Sequence, residues 1–441
     1  GNEVEIFCAQ ADQSQELFHW AENVLVSPTL PFSLPFPQPY AVSGPDLALI
    51  TERLRVGVQK ADRFYIHDGE WLLPDVYQEV PTVSSFRDNI YPESVLGSFI
   101  TKADEIICVS PFSAAVIEHT AGRFYPNHKH RIHQVNNGID FDHFSPQDPA
   151  PLAAELGLDL ENDVILLHPH RPEPGKGLSE TVRVAAHLVH RAGVSNLRVL
   201  VPEWIGGMVS SGEKDYHTRM LDLMQTLNVR DHFQFINWLP NERMPELYSL
   251  GTVTLCLGNI VEAFGNVAYE SLACGTLSIV ARVGVHRTLM PDDLIAKVHF
   301  GDTEAAAEKI LDILNRRSKV NPDVLAYMHG QMDFDRQVEA YAEIIERCSK
   351  RDPLKFKFPQ PNGEAAYEIA PWCYLNGDHI YHDFKGRFEP ALILAQLFKD
   401  QAVITKAKAI ESGVTEGKWQ SWVDRTWIVP KSQDRRKDYD V

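Results

Sequence analysis

The sequence lacks the features that mark membrane proteins and nucleic-acid-binding proteins. No stretch of its 441 residues approaches the roughly 20 consecutive apolar residues that a membrane helix requires, and the first residues show no signal-peptide pattern. Positive charge is also scarce relative to negative charge, and the formal net charge is −18. A surface with this net charge would repel the phosphates of a nucleic acid. We therefore expect neither a transmembrane segment nor a nucleic-acid partner.

Cysteine is scarce as well, and its spacing argues against disulfides and bound metal. The six cysteines lie far apart, several inside apolar runs, and no two form a Cys-x-x-Cys pair. Buried, reduced thiols fit this spacing better than a disulfide framework or a zinc site. In HIYHD, three side chains stand close enough for metal ligation, but nothing nearby completes a site: His379, His382 and Asp383. We expect a soluble, cytoplasmic protein without a metal.

The sequence is rich in short apolar runs that alternate with helical patterns. With 44% hydrophobic content, the chain is long enough for two or three globular domains. The alternation predicts a doubly wound α/β lobe over residues 1–148, ended by a proline-rich linker, and a second lobe with closing helices over 149–352. Residues 353–441 are rich in aromatic side chains and predict a folded α+β extension.

This extension must bury its apolar surface. A helical pattern over 388–407 and the aromatic side chains leave three alternatives: packing on the lobes of its own chain, a homo-oligomer interface, or a cover over the acceptor side of a cleft. We favour a small folded unit that is docked on its own chain or on a partner subunit.

Two glutamates eight positions apart mark the strongest candidate site. They are Glu262 and Glu270 in EAFGNVAYESLACGT, between two predicted buried strands. Asn266 can cap the intervening helix, and the N–H groups of Asn266 and Val267 behind Gly265 could bind a diphosphate. Glu270 could accept hydrogen bonds from the diol of a ribose, while Glu262 would face the group beyond the phosphates. The alternative is an exposed glutamate pair that solvates a helix.

These residues resemble the signature of the retaining glycosyltransferases of family 4. That family has two glutamates separated by seven residues in a frame like E-x-F-G-x-x-x-x-E-x-x-A-x-G-T, which residues 262–276 match. HRPEPGKG supplies the basic pair of the family, Arg171 and Lys176. NNGIDFDHFSP, ADEIICVSPFS and DRFYIHDGE are similar to further family segments, so the resemblance covers roughly residues 1–350 in the order of the family.

The resemblance implies a glycosyltransferase-B fold of two Rossmann-like lobes and a retaining transferase. The donor would be a nucleotide sugar, with a UDP or GDP sugar expected, and the unknown acceptor a small molecule, a glycan or a lipid-linked group. By family analogy Glu270 holds the ribose and Glu262 a hydroxyl of the donor sugar. Arg171, Lys176 and the helix N-terminus would neutralise the leaving diphosphate without a metal or another cofactor. Lys176 could instead be a solvated loop lysine.

The resemblance also suggests where the base and the acceptor side lie. The base would be held by backbone groups around Asn237 and Leu239. Arg87 and Asp88 stand where many members carry a cleft histidine, so the cleft side of the first lobe is predicted to contain His67, Arg87 and Asp88.

Two further departures from the family pattern concern a loop and the start of the chain. In VGVHRT, His286 and Arg287 replace a glycine pair followed by a glutamate. The opening GNEVEIF resembles the second strand of the family, which would place the first strand, its glycine-rich loop and the first helix upstream of residue 1.

Other activities remain open on the same fold. Sugar-nucleotide epimerases and phosphorylases share the two-lobed architecture, and a non-catalytic nucleotide-sugar binder is a third class. The presence of both glutamates and both basic residues favours the transferase.

Overall fold

The computed structural model describes residues 1–9, 16–32, 42–68, 73–171, 173–203, 211–359 and 365–431. The strands, in chain order, are β1 (Val4–Ala9), β2 (Phe18–Ala21), β3 (Val24–Leu30), β4 (Phe64–Ile66), β5 (Thr82–Phe86), β6 (Glu105–Cys108), β7 (Ile132–Gln134), β8 (Val164–Leu167), β9 (Leu197–Pro202), β10 (Phe233–Ile236), β11 (Val253–Cys256), β12 (Leu277–Ala281), β13 (Ala296–Val298), β14 (Ala366–Ile369), β15 (Cys373–Asn376), β16 (His379–His382), β17 (Arg387–Pro390), β18 (Ile404–Thr405) and β19 (Ile428–Pro430). The helices are α1 (Gly44–Val58), α2 (Pro92–Ile100), α3 (Pro111–His119), α4 (Ala150–Leu156), α5 (Leu178–Ala186), α6 (Ser211–Thr226), α7 (Met244–Leu250), α8 (Asn266–Ala273), α9 (Thr303–Arg316), α10 (Pro322–Gln331), α11 (Phe334–Arg347), α12 (Leu392–Phe398), α13 (Lys406–Glu411) and α14 (Glu416–Asp424).

The chain divides into two compact units, and the division differs from the domain boundaries that we predict at residues 148 and 352. The first unit comprises Gly1–Val109, Thr120–Val135 and Glu339–Pro359, and the second comprises Ser110–His119, Asn136–Val338 and Gln360–Val441. The later part of α11 belongs to the first unit because its apolar side chains pack on Val83 and Ile107 of the β5–β6 pair. Of the predicted extension, residues 353–359 belong to the first unit and the described residues 365–431 to the second.

The first unit contains a parallel sheet of order β4-β5-β6-β7. Every residue of β5 and β6 is buried, as expected for central strands covered on both faces. A separate sheet of order β1-β3-β2 pairs β1 with β3 in parallel and β2 with β3 in antiparallel.

The second unit is built on a parallel sheet of order β10-β9-β8-β11-β12-β13. The strand order runs outward in one direction from β8 and in the other from β11. The loops that follow these two strands therefore meet at a topological switch point, where open parallel sheets bind their ligands.

Residues 365–431 form two three-stranded antiparallel sheets, of order β18-β14-β19 and β15-β16-β17, with α12, α13 and α14. Tyr374 and Tyr381 pack against Val283 and Phe300 of the second unit. His119 of α3 lies 3.4 Å from Glu368. The extension, hereafter the appendage, thus packs on its own chain, which is the first of the three alternatives. None of the helices described here is both long and apolar enough to cross a membrane.

Candidate active site

The paired glutamates lie in the second unit at the switch point of its sheet. Glu262 is in the loop between β11 and α8, and Lys176 is in the loop between β8 and α5. The carbonyl of Gly175 accepts hydrogen bonds from the N–H groups of Asn259, at 2.9 Å, and Ile260, at 3.1 Å. A Cβ on Gly258 would lie 2.1 Å from the same carbonyl oxygen, so the close approach of the two loops requires glycine there.

Lys176 and Glu262 form an ion pair across these loops. The Lys176 ammonium donates a hydrogen bond to Oε1 of Glu262 at 2.6 Å, and both side chains are largely buried, with 17% and 28% exposed. Burial raises the pKa of the Glu262 carboxyl, but the charge and hydrogen bond of Lys176 outweigh it, so that the pKa lies below its ordinary value. Lys176 is therefore not the solvated loop lysine of the alternative interpretation.

Two buried histidines surround this pair, and the sequence analysis gave neither a role in the site. His170 donates a hydrogen bond from Nε2 to the carbonyl of Leu255 at 3.1 Å. Nδ1 of His286 lies 3.2 Å from the hydroxyl of Tyr269. Burial lowers the pKa of each imidazole to about 4, so both rings are neutral at pH 7. Only their packing among distant elements distinguishes them from surface histidines.

The start of α8 differs from the prediction in one respect. Gly265, with φ 78°, occupies the N-cap position, and Asn266 is the first residue of the helix. The predicted Asn266 cap is wrong because glycine takes the left-handed conformation that the entry into the helix requires. No side chain caps the first turn, which includes Val267. A helix start of this kind attracts anions.

Glu270, one turn into α8, is held by a residue that the sequence analysis missed. Its Oε2 accepts a hydrogen bond from the hydroxyl of Tyr248 at 2.8 Å. Burial raises the pKa of Glu270 above its ordinary value, although the Tyr248 bond and His143 act in the opposite direction. Glu262 and Glu270 are both partly buried and hydrogen-bonded. The alternative of an exposed, solvated glutamate pair is therefore wrong.

Three other predicted residues of this unit are Arg171, Asn237 and Leu239. Arg171 is about half exposed, and its Nε lies 3.6 Å from Glu173. Asn237 and Leu239 follow β10, an edge strand that is separated from β11 by β9 and β8. They are at the carboxyl end of the sheet, as predicted, but the structure does not bring them into contact with Glu262.

The predicted cleft residues lie in the first unit, beyond β4 and β5. Nδ1 of His67 is 3.1 Å from the hydroxyl of Tyr65. The N–H of Arg87 donates to Asp68 at 2.8 Å, and this carboxylate links the loops after the two strands. Asp88 accepts hydrogen bonds from the N–H groups that precede α2, so its carboxylate shapes a turn. Asp68 was not predicted, because its role depends on strand pairing.

The described parts of the chain contain no group of three or more His, Cys, Asp and Glu side chains that could hold a metal ion. Two members of HIYHD have other partners. Asp383 is paired with Arg287, and His379 with Asp378.

Known proteins match the part of the chain that contains the Lys176–Glu262 pair and Glu270. Residues 157–322 match the family model described as glycosyl transferases group 1, which confirms the resemblance to glycosyltransferases. A D-inositol 3-phosphate glycosyltransferase of Frankia alni is 32% identical over 187 residues, which are 42% of this chain and 45% of that protein. The chain spans about half the length of the curated relatives it matches.

Solved structures share the fold over a longer part of the chain. Sucrose-phosphate synthase from Thermosynechococcus elongatus has a TM-score of 0.64 and 17% identity, and the match covers 78% of this chain and 88% of that one. The Anabaena protein HepE, in complex with UDP and glucose, has a TM-score of 0.59 and 18% identity over 73% and 86% of the two chains. At such low identity these matches show the fold alone, and they confirm the predicted α/β fold of two Rossmann-like lobes.

Proposed function

We propose that the protein is a glycosyltransferase, because residues 157–322 match the family model described as glycosyl transferases group 1. It transfers a sugar from a nucleotide-sugar donor to an acceptor, with retention of anomeric configuration and without a metal ion. The observation that carries the proposal is the Lys176–Glu262 ion pair beside the N-terminus of α8, at the switch point of the sheet.

The chemistry of the site fits a nucleotide diphosphate sugar. A diphosphate at the start of α8 would compete with Glu262 for the Lys176 ammonium, and the released carboxylate could then accept a hydrogen bond from a sugar hydroxyl. Positive charge beside the departing diphosphate lowers the barrier to cleavage of the bond between sugar and phosphate. Glu270, on the next turn of α8, is placed to accept hydrogen bonds from ribose hydroxyls.

Retention follows, in this proposal, from a front-face displacement. The leaving phosphate accepts the proton of the acceptor hydroxyl, and the acceptor attacks the face of the sugar from which the diphosphate departs. No carboxylate is then required as a covalent nucleophile, in contrast to retaining glycosidases.

The names of the similar proteins suggest which substrates to test first. HepE was solved with UDP and glucose, so UDP-glucose is the first donor. The curated relatives are named for D-inositol 3-phosphate, which is therefore the first acceptor. Thermal shift with UDP, GDP, ADP and dTDP should identify the base, because a ligand that binds only the folded state raises its apparent stability.

Product analysis distinguishes the reactions that this fold supports. We expect the free nucleoside diphosphate and an α-glycoside from an α-linked donor. A changed sugar without an acceptor would indicate an epimerase, and a sugar phosphate would indicate a phosphorylase. A folded protein that binds none of the four nucleotides would contradict the proposal, and one that binds a nucleotide sugar without turnover would be a binder.

A further inference from the structure

A turn of the appendage, residues 382–386, contacts the loops of the candidate active site. Asp383 lies in this turn, and its carboxylate accepts two hydrogen bonds from the guanidinium of Arg287, at 2.8 and 2.7 Å. The Asp383 side chain is fully buried and that of Arg287 is 10% exposed. Arg287 also donates to the carbonyl of Pro371 at 2.7 Å. A bidentate pair of this kind fixes both position and orientation.

Arg287 ends a short 3-10 helix, Gly284–Arg287, that packs directly on the glutamate loop. The ring of His286 lies against Gly265, where an added Cβ would be 2.4 Å from Cε1 of the imidazole. A Cβ on Gly284 would lie 3.0 Å from the backbone oxygen of Glu262. Asp383 therefore holds, through Arg287, the segment that supports Glu262 and the start of α8.

The same turn of the appendage touches the second loop of the site. Gly386 has φ 60°, and an added Cβ would lie 2.7 Å from Nδ2 of Asn259. The N–H of Asn259 in turn donates to the carbonyl of Gly175, the residue before Lys176. The turn thus contacts both a segment that supports Glu262 and one that supports Lys176.

We propose that the appendage is a working part of the donor site, in which Asp383 and Gly386 are positioning residues for the Lys176–Glu262 pair. This inference rests on the proposed function and extends it to a part of the chain outside the family match. Its effect falls on the sugar end of the donor, because Glu270 is held separately by Tyr248. Loss of these contacts should therefore weaken sugar recognition and turnover more than binding of the free nucleotide, because the contact of Glu270 with the ribose remains.

The first test compares Asp383→Asn with Glu389→Gln. Glu389 is a matched control because it is an appendage carboxylate whose ion pairs, among the described residues, are with arginines of the appendage itself: Arg425 at 2.5 Å and Arg387 at 3.3 Å. For Asp383→Asn we expect kcat/KM for the nucleotide-sugar donor to fall on the order of 10- to 100-fold, as for other small displacements of a site. Affinity for the free nucleotide should fall less than kcat/KM, and Glu389→Gln should leave both quantities unchanged.

The second test compares Gly386→Ala with Gly377→Ala. Both glycines are in the appendage with similar φ, 60° and 58°, but an added Cβ on Gly377 meets nothing within 4 Å. The backbone strain is therefore shared, and only Gly386→Ala pushes on Asn259. We expect Gly386→Ala to lower transfer relative to Gly377→Ala at equal thermal stability.

Hydrogen–deuterium exchange provides a readout that does not depend on activity. In Asp383→Asn and Gly386→Ala, the amides of 258–265 and 283–289 should exchange faster than in the wild type and the two controls. Unchanged exchange, or wild-type donor kinetics in the folded variants, would overturn the positioning role. If the wild type neither binds nor transfers a nucleotide sugar while the variants still alter exchange, the proposed function fails and the contacts alone are confirmed.

Discussion

The charge of the candidate site is set by individual side chains before any ligand binds. Lys176 and Glu262 neutralise each other at 2.6 Å, and the neighbouring imidazoles of His170 and His286 are uncharged at pH 7. An anionic ligand therefore meets an ammonium that is already paired with a carboxylate, and not a fixed excess of positive charge. To bind this ammonium, the ligand must replace the carboxylate as its partner. Glu262 and Glu270 have different partners, Lys176 and Tyr248, so the roles of the two glutamates can be tested separately by mutation.

Glu262→Gln should lower turnover and spare nucleotide binding. The substitution keeps the size of the side chain but removes the charge that holds Lys176, so the ammonium becomes more available to a diphosphate. We expect kcat for transfer to fall by ~10²-fold, the magnitude seen when one preorganised electrostatic contact is lost. Affinity for the free nucleoside diphosphate, measured by calorimetry, should be equal or higher. Abolished nucleotide binding in a folded variant would mean that the two glutamate roles are reversed.

Glu270→Ala should mainly weaken nucleotide binding. The variant loses charge-assisted hydrogen bonds to the ribose, which should cost roughly 1.5–3 kcal/mol of binding free energy. Tyr248→Phe is the control, since it removes the partner of Glu270 but leaves the carboxylate. Calorimetry should show a smaller loss for Tyr248→Phe. Unchanged affinity in Glu270→Ala would contradict the ribose assignment.

EDTA should leave transfer intact. In the proposed mechanism, Lys176 and the N–H groups at the start of α8 supply the positive charge that a magnesium ion supplies in other folds. Initial rates with and without chelator test this directly. Inhibition by EDTA that added Mg²⁺ or Mn²⁺ reverses would refute metal independence.

At the scale of elements, the decisive contact is between the start of α8 and the short 3-10 helix Gly284–Arg287. The helix begins at a left-handed glycine because the chain must leave β11, pass Glu262 and present its N–H groups at the sheet edge. The absence of a side chain at Gly265 also makes room for the ring of His286. One glycine thus serves both the backbone conformation and the packing of the loop.

Gly265→Ala should therefore lower the free energy of unfolding by more than backbone strain alone would. A non-glycine residue in this conformation costs ~1–3 kcal/mol of folding free energy, and the added methyl group would also displace His286. Gly301→Ala is the matched control, since Gly301 has φ 81° and nothing within 4 Å of its added Cβ. Urea unfolding and donor binding should both be more impaired in Gly265→Ala. Equal effects of the two substitutions would argue against the His286 contact.

At the scale of the whole molecule, buried neutral histidines couple stability to pH. Burial is the largest cause of a lowered pKa at each of five histidines. The pKa is lowered to about 4 at His128, His170, His286 and His382, and well below its ordinary value at His168. In the unfolded chain these imidazoles take up protons near pH 6.5. The unfolded state thus binds more protons than the folded state between pH 6.5 and about 4.

Acidification through this window should lower the free energy of unfolding. Each such histidine contributes a loss of roughly 1.4 kcal/mol for each pH unit between the two pKa values. Urea midpoints at pH 7 and pH 5 measure the effect. His128→Leu should reduce the difference, because this variant removes one buried imidazole outside the candidate site. Equal midpoints at both pH values would show that these rings are not held neutral by burial.

The sequence by itself determined the local structure around the sheet of the second unit. Apolar runs of four to six residues bounded by turns predict strands such as β8, β11 and β12, because hydrophobic periodicity is a local signal. The frame around Glu262 and Glu270 placed both carboxylates correctly relative to α8. The pattern gives no such signal for β2, whose four residues are all exposed, and β3 is interrupted by Pro28.

Only the tertiary structure decided which distant residues meet. Lys176 and Glu262 are 86 positions apart, and Arg287 and Asp383 are 96 positions apart. Their pairing depends on the order of strands in the sheet and on where the appendage packs, and neither leaves a pattern in neighbouring residues. The same holds for His286, whose neutral ring and contact with Gly265 result from burial among elements that the chain brings together only when it folds.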